Sequence, residues 1–422
     1  MTGSLSCVTE RILLPDHGGQ LICRHMNRFF IIFLLVFLVS LPALAETRLM
    51  AVSDLHYMAP SLYSGSELFL RVLRNGDGKA PQYGEELLAA LYREIIAQQP
   101  DALIVTGDLT FNGEKKSHEA LADWFGSVEA AGVPVWVIPG NHDINTSPVG
   151  FDQSSYFLTE SVTPEEFASI YADFIGKGNV GFSYAVPVGS RLTAAMTDVS
   201  CYQEQAQTFG VFTAQHASWL ESVLKGNTAV ITATHHSLLQ HTDFSKQSFL
   251  MFGHENMQAL LETYGVRLNL SGHMHIQHVA REGSLFDAAQ GAFCIWPHRY
   301  AAVTLRDDGC LMSEAKELNA AYLPDGFLDT SREWFAGIAR DKATASGIAG
   351  TAIEKEAMAD YAARFNLAYF SGTYRADDAA WTSDPAYALW EKQKDSLFWK
   401  YMRLVMAEAN GENLMLTIGP QK

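Results

Sequence analysis

Five apolar runs in this chain each end on side chains that can hold a metal ion, and no other feature narrows its fold as far. Val133 to Ile138 stops at Pro139-Gly140 and is followed at once by Asn141-His142-Asp143. Arg48 to Ser53 leads to Asp54-Leu55-His56, and Ala102 to Thr106 leads to Gly107-Asp108. Ala229 to Ala233 leads to Thr234-His235-His236, and Val266 to Leu270 to Gly272-His273-Met274-His275. A short run that is apolar throughout reads as a strand buried on both faces. Taken singly, each ending also reads as a polar turn or a satisfied surface loop. Taken together, ligand types fall at the carboxyl ends of these strands and almost nowhere within them, which is the edge where open α/β sheets bind ligands.

The segments between the runs fit that sheet. Leu87, Leu88, Leu91 and Ile95 recur at helical spacing, as do Leu121, Trp124, Phe125 and Val128 before Gly132. Strand, helix, strand, helix, strand predicts a parallel sheet covered by helices. Two strands around Pro187-Val188-Gly189-Ser190 read as a hairpin, and Phe212 to Leu224 and Met257 to Tyr264 as helices. Tyr300 to Leu305 and the Asp307-Asp308-Gly309 turn read as a closing antiparallel segment. Residues 57–83, with their glycines and prolines, read as a surface excursion forming one wall of the site.

From residue 311 the pattern turns helical. Thr330-Ser331-Arg332-Glu333 reads as a capping box ahead of Trp334. Ile353, Ala357, Tyr361, Phe365 and Tyr369 form a stripe, and Pro385 opens a last helix carrying Trp390, Leu397, Phe398 and Tyr401. These aromatic rows are expected to pack on the first domain rather than line a ligand groove.

The formal net charge of −17 argues against binding nucleic-acid polymers and against a polybasic membrane patch. It does not exclude a phosphorylated small molecule, because bound cations can reverse the field inside a site. Met26 to Ala45 has the positive start, short apolar run and Ala-x-Ala ending of a secretory signal peptide. The run is too short for a spanning helix. Residues 1–25 then read as an extension ahead of the true start, and the mature protein as periplasmic or secreted with no membrane span. Cys201, Cys294 and Cys310 match no metal motif; Cys294 and Cys310 either pair or stay free.

Asp-x-His, Gly-Asp, Gly-Asn-His-Asp, His-His and Gly-His-x-His, in this order, make residues 46–310 similar to the calcineurin-like metallophosphoesterase superfamily. The 57–83 excursion, Asn112-Gly113-Glu114-Lys115 and the helical residues 311–422 resemble its bacterial class III cyclic-nucleotide-phosphodiesterase-like branch. The resemblance implies a layered αββα sandwich with a C-terminal helical domain. It implies one metal held by Asp54, His56, Asp108 and His275, and a second by Asp108, Asn141, His235 and His273. Ser237 stands where many relatives have Pro, so His235 and His236 both remain candidates, with His235 preferred. Oxygen and imidazole donors without thiolate suit Mn, Fe or Zn. Such a pair activates a bridging water as hydroxide and clamps an in-line displacement at phosphorus. His142 would donate a proton to the leaving alkoxide as an imidazolium, a contribution of about 10²–10⁴-fold, with Asp143 fixing its orientation. The implied activity is phosphodiester hydrolysis, of cyclic nucleotides or similar esters. The alternatives are a secreted phosphomonoesterase that scavenges phosphate and a metal-binding module without catalysis.

Overall fold

In the computed structural model, alternate residues of the first strand, β1 (Thr47–Val52), enter two different cores. Leu49 and Ala51 face one, Met50 and Val52 the other. That two-residue period is what a strand buried on both faces requires. β2 (Ala102–Thr106) and β3 (Val135–Ile138) continue the sheet in parallel, Val52 lying opposite Val105 and Thr106 opposite Ile138. Asp54, Asp108 and Asn141 therefore leave the sheet at one edge. The structure describes residues 46–178, 180–243, 249–408 and 411–420, so the expected extension 1–25 and signal segment 26–45 lie outside it.

β4 (Val149–Phe151) and β5 (Tyr156–Leu158) form a separate hairpin. The next six strands make a second sheet: β6 (Tyr184–Val188), β7 (Leu192–Thr197), β8 (Val230–Thr234), β9 (Leu268–Ser271), β10 (His278–Glu282) and β11 (Leu285–Ala289). Their order is β10-β11-β9-β8-β7-β6. β12 (Arg299–Leu305), β13 (Leu311–Glu317) and β14 (Met415–Ile418) return to the first sheet, whose order is β14-β13-β12-β1-β2-β3. Leu49, Ile104 and Val303 of the first sheet share a core with Met196, Ile231 and Leu270 of the second. Helices Gly84–Gln98 and Lys115–Ala130 cover the outer face of the first sheet, and Ala214–Gly226 and His254–Thr263 that of the second. This is the αββα sandwich. Each fully buried Leu or Ile in it contributes about 1.5–3 kcal/mol.

Several expectations change in detail. The 57–83 excursion contains a helix, Glu67–Asn75, whose N-cap Ser66 accepts the Phe69 N–H. The boundary drawn at 310/311 falls inside the β12–β13 hairpin, and β14 comes back to the same sheet after the helices. The Thr330 capping box does not form. The helix runs Phe327–Ala345 from Gly326, because Phe327 is buried in the core against Tyr83, and Thr330 Oγ1 donates to the Gly326 carbonyl inside the helix. The last helix is two pieces, Pro385–Trp390 and Leu397–Met406. Between them Gln393 bonds both backbone groups of Ala349, which breaks the run. Leu397 and Ile353, expected in the buried stripes, are 78% and 80% exposed, while Tyr361, Phe365 and Trp390 are fully buried. Cys294 and Cys310 are free thiols, one buried and one in the β12–β13 turn. Among the described residues no helix is long and apolar enough to cross a membrane.

The helical residues also brace the site. Met274 and Ile276, which alternate with His273 and His275, enter the same core as Tyr361, Phe365 and Trp390. One face of that loop packs on the carboxyl-terminal helices, and the other carries the imidazoles.

Candidate metal centre

Left-handed backbone builds this site. Asp54, His56, Asp108, His273 and His275 have φ of 54°, 40°, 50°, 66° and 62°. A non-glycine residue pays for that conformation, and Asp and His are among those that tolerate it best. The ends of β1, β2 and the strand before His273 thus turn sharply, and the turns direct these side chains to one place. Gly107 at φ +91° and Gly140 allow the closest approach: a Cβ on Gly107 would stand 2.6 Å from His235 Nδ1, and one on Gly140 2.2 Å from Asp108 Oδ1.

Seven expected ligands come together. Asp54, His56, Asp108 and His275 form one group, and Asp108, His235 and His273 a second, each with its donor atoms within 4.8 Å of one another. Asn141 adjoins the second, its Oδ1 3.1 Å from His235 Nε2. Asp108 belongs to both. Its Oδ2 lies 3.4 Å from His56 Nε2 and its Oδ1 3.4 Å from His235 Nε2. Burial alone would raise the Asp108 carboxyl, but the neighbouring imidazoles of His235 and His142 hold it well below the usual range. Burial would likewise lower His235; the Asp108 carboxylate outweighs it and lifts the ring to about 9. His56 is driven well below its ordinary value by burial and then by the Lys79 ammonium.

Of the histidine pair, His235 sits in the cluster. Its Nδ1 lies 2.9 Å from the Thr106 carbonyl, to which it donates, leaving Nε2 to face Asp108. His236 is buried against His273, with ring centroids 4.4 Å apart, and neither ring nitrogen faces Asp108 within ion-pair distance.

Asp143 does not orient His142. Its carboxylate is turned inward, where it accepts the N–H groups of Gly140 (2.7 Å), Leu109 (3.1 Å) and Thr110 (3.0 Å) and the Thr110 hydroxyl. Those bonds tie the loop after β2 to the loop after β3. The His142 ring is held instead by Asn112, whose Oδ1 is 3.0 Å from Nδ1. An amide oxygen only accepts, so Nδ1 carries the proton and Nε2 is an acceptor in the neutral ring. Facing Nε2 at 3.1 Å is Lys79 Nζ. Burial, ahead of the nearby charges, pushes His142 down to about 4.

Lys79 and Asp77 are the residues that sequence patterning missed. Lys79 Nζ also lies 3.4 Å from Asp77 Oδ2, which is 3.8 Å from His275 Nδ1. Their signal was weak: a charged pair in a loop, remote in sequence from every strand end.

Over residues 47–277 the chain matches calcineurin-like phosphoesterases, and over residues 326–412 the C-terminal domain of cyclic nucleotide phosphodiesterase. Over 55 residues it is 42% identical to a probable cyclic nucleotide phosphodiesterase of Synechococcus sp., a match that takes in 13% of this chain and 20% of that relative's length. Among solved structures, a dimetal phosphatase from Danio rerio is 14% identical, covering 65% of this chain and 96% of its own, with a TM-score of 0.47. A purple acid phosphatase from yellow lupin seeds is 13% identical, covering 65% and 52%, with a TM-score of 0.44.

Proposed function

Since the chain belongs to the calcineurin-like phosphoesterase family, we propose that this metal-dependent hydrolase cleaves phosphodiesters, with cyclic nucleotides or similar nucleotide-like esters as substrates. The observation that carries the metal site is Asp108, a buried carboxylate with one oxygen toward each imidazole group and no hydrogen-bond partner at Oδ2. The remaining donors fit as well. His56 Nε2 and His275 Nε2 stand 3.2 Å apart beside Asp54, a crowd of lone pairs that a cation relieves. Asp54, His56, Asp108 and His275 would hold one ion, and Asp108, Asn141, His235 and His273 a second, with Mn, Fe or Zn suited to those donors. Ions so held lower the pKa of water and offset negative charge at phosphorus.

The chain's own residues keep the donors in place. Asp54 accepts the His273 backbone N–H at 3.0 Å, and Asp108 Oδ1 accepts that of His142 at 2.9 Å. Thr106 fixes the His235 tautomer, the outer support that metal-binding imidazoles need. The carboxyl-terminal match and the Synechococcus match support diesters over monoesters. The Met26–Ala45 pattern would place the reaction outside the cytoplasm.

The test is a substrate panel on the Mn-loaded protein, with metal content measured. Bis-p-nitrophenyl phosphate and cyclic nucleotides should turn over at higher kcat/KM than p-nitrophenyl phosphate. Hydrolysis of the monoester alone overturns the diester reading.

A further inference from the structure

Beside His142 lies a cavity of about 260 Å³, walled by Leu73, Phe111, Asn112 and Val149, with Lys79 and Asp77 also on its lining. It is somewhat smaller than the roughly 300–1,000 Å³ of pockets that take a whole drug-sized ligand, so it suits one part of a substrate. Its walls come from the helix Glu67–Asn75, the hairpin strand β4 and Phe111 to Glu114 in the loop after β2, none of them a candidate metal ligand, although Asp108 lies earlier in that same loop.

Lys79 is held where the cavity meets the metal ligands. Its side chain is 9% exposed, and its ammonium has three N–H groups, of which Asp77 and His142 take two. Its charge is felt at His56 and His142. The loop that presents it has no slack. Gly78, at φ +107°, packs so closely that a Cβ there would stand 2.7 Å from the Phe335 ring of the carboxyl-terminal helices. A cation fixed at the rim of an acidic protein's site has a natural counterpart in a phosphoryl oxygen. Along the rest of the cavity Leu73, Phe111 and Val149 are apolar, so the occupant there should be an uncharged ring.

Resting on the phosphoester reading above, we propose that Lys79 binds the substrate's phosphoryl group and that the adjoining cavity receives its organic part, a nucleobase-like ring. Lys79 is then a substrate-contacting residue of this reaction, and the 57–83 segment sets its specificity.

Isothermal titration of the metal-loaded protein with inorganic phosphate and with adenosine monophosphate tests both halves, alongside turnover of bis-p-nitrophenyl phosphate. Lys79→Met should weaken phosphate about 10-fold and raise KM by a similar factor, with metal content and Tm unchanged, and Lys79→Arg should restore most of the loss. Val149→Trp, which narrows the cavity, should weaken adenosine monophosphate at least 10-fold more than phosphate. If the unaltered protein hydrolyses diesters but Lys79→Met matches it in phosphate affinity and KM, the Lys79 assignment falls and the esterase reading stands. If no ester is hydrolysed while Lys79→Met still loses phosphate, the esterase reading falls and the Lys79 contact stands. Equal losses of both ligands in Val149→Trp overturn the cavity assignment.

Discussion

Asn112 Oδ1 sits 3.0 Å from His142 Nδ1, and this single contact decides which way the imidazole of the Asn-His-Asp stretch presents its second nitrogen. The partner expected from sequence, Asp143, lies next to His142 in the chain yet spends its carboxylate on three backbone N–H groups and a hydroxyl. A residue from the loop after β2 reaches it instead.

That division of labour separates two variants. Asn112→Ala should keep the metal ligands and most of the stability but let the ring rotate, lowering kcat about 10–100-fold, the usual cost of losing an outer support. Asp143→Asn should act first on stability, since a buried carboxylate accepting several hydrogen bonds is replaced by an amide that can accept at only one atom. A loss of about 2 kcal/mol or more is expected, read as a drop in Tm. A kcat for Asn112→Ala equal to that of the unaltered protein would remove Asn112 from the site's working parts.

Asp108 offers a sharper test of the paired arrangement. One of its oxygens faces His56 and the other His235, so an amide in its place leaves one group with a poor donor whichever way it turns. Asp108→Asn should therefore reduce occupancy of both metal positions, whereas His275→Ala should affect chiefly the group containing Asp54 and His56. Elemental analysis after gel filtration reads the difference. Two fully occupied sites in Asp108→Asn would rule out a shared ligand.

What sequence made legible follows from periodicity. Strands buried on both faces are apolar without interruption, so the polar residues ending them stand out: position offers Asp54, His56, Asp108, Asn141, His142, His235 or His236, His273 and His275, and the family resemblance divides them into ligands and others. The sheets' outer helices were legible for the same reason. Lys79 was not, because it approaches His142 across 63 residues and nothing in the Asp77-Gly78-Lys79 run signals where the loop folds. The Glu67–Asn75 helix was hidden by the glycines and prolines on either side of it. The start of Phe327–Ala345 was misplaced because a good local cap at Thr330 lost to the burial of Phe327, a tertiary gain that local pattern does not contain.

Glu114 gives the stability a pH dependence that can be worked out in sign. Its side chain is fully buried beside the cavity, with Oε2 accepting the Asn112 N–H, and burial pushes it up to about 7 from an ordinary 4.5. Between those values the folded chain keeps a proton that the unfolded chain has released, so stability falls as pH rises from about 4.5 to 7 and the loss is complete above. His118 works in the opposite direction. Buried between Tyr171 and the Asp143 carbonyl, it is lowered to about 4 from 6.5, so it costs stability as pH falls through that window. The two slopes oppose each other where they overlap. Glu114→Gln should thus be more stable than the unaltered protein above pH 7, by up to about 3 kcal/mol, with the advantage shrinking toward pH 4.5. Below pH 6.5 its own stability should decline more steeply, as the His118 contribution is no longer offset. Urea unfolding at pH 5, 6, 7 and 8 measures both effects, and a difference between the two proteins that stays constant across that range would show that Glu114 titrates as an ordinary carboxyl group.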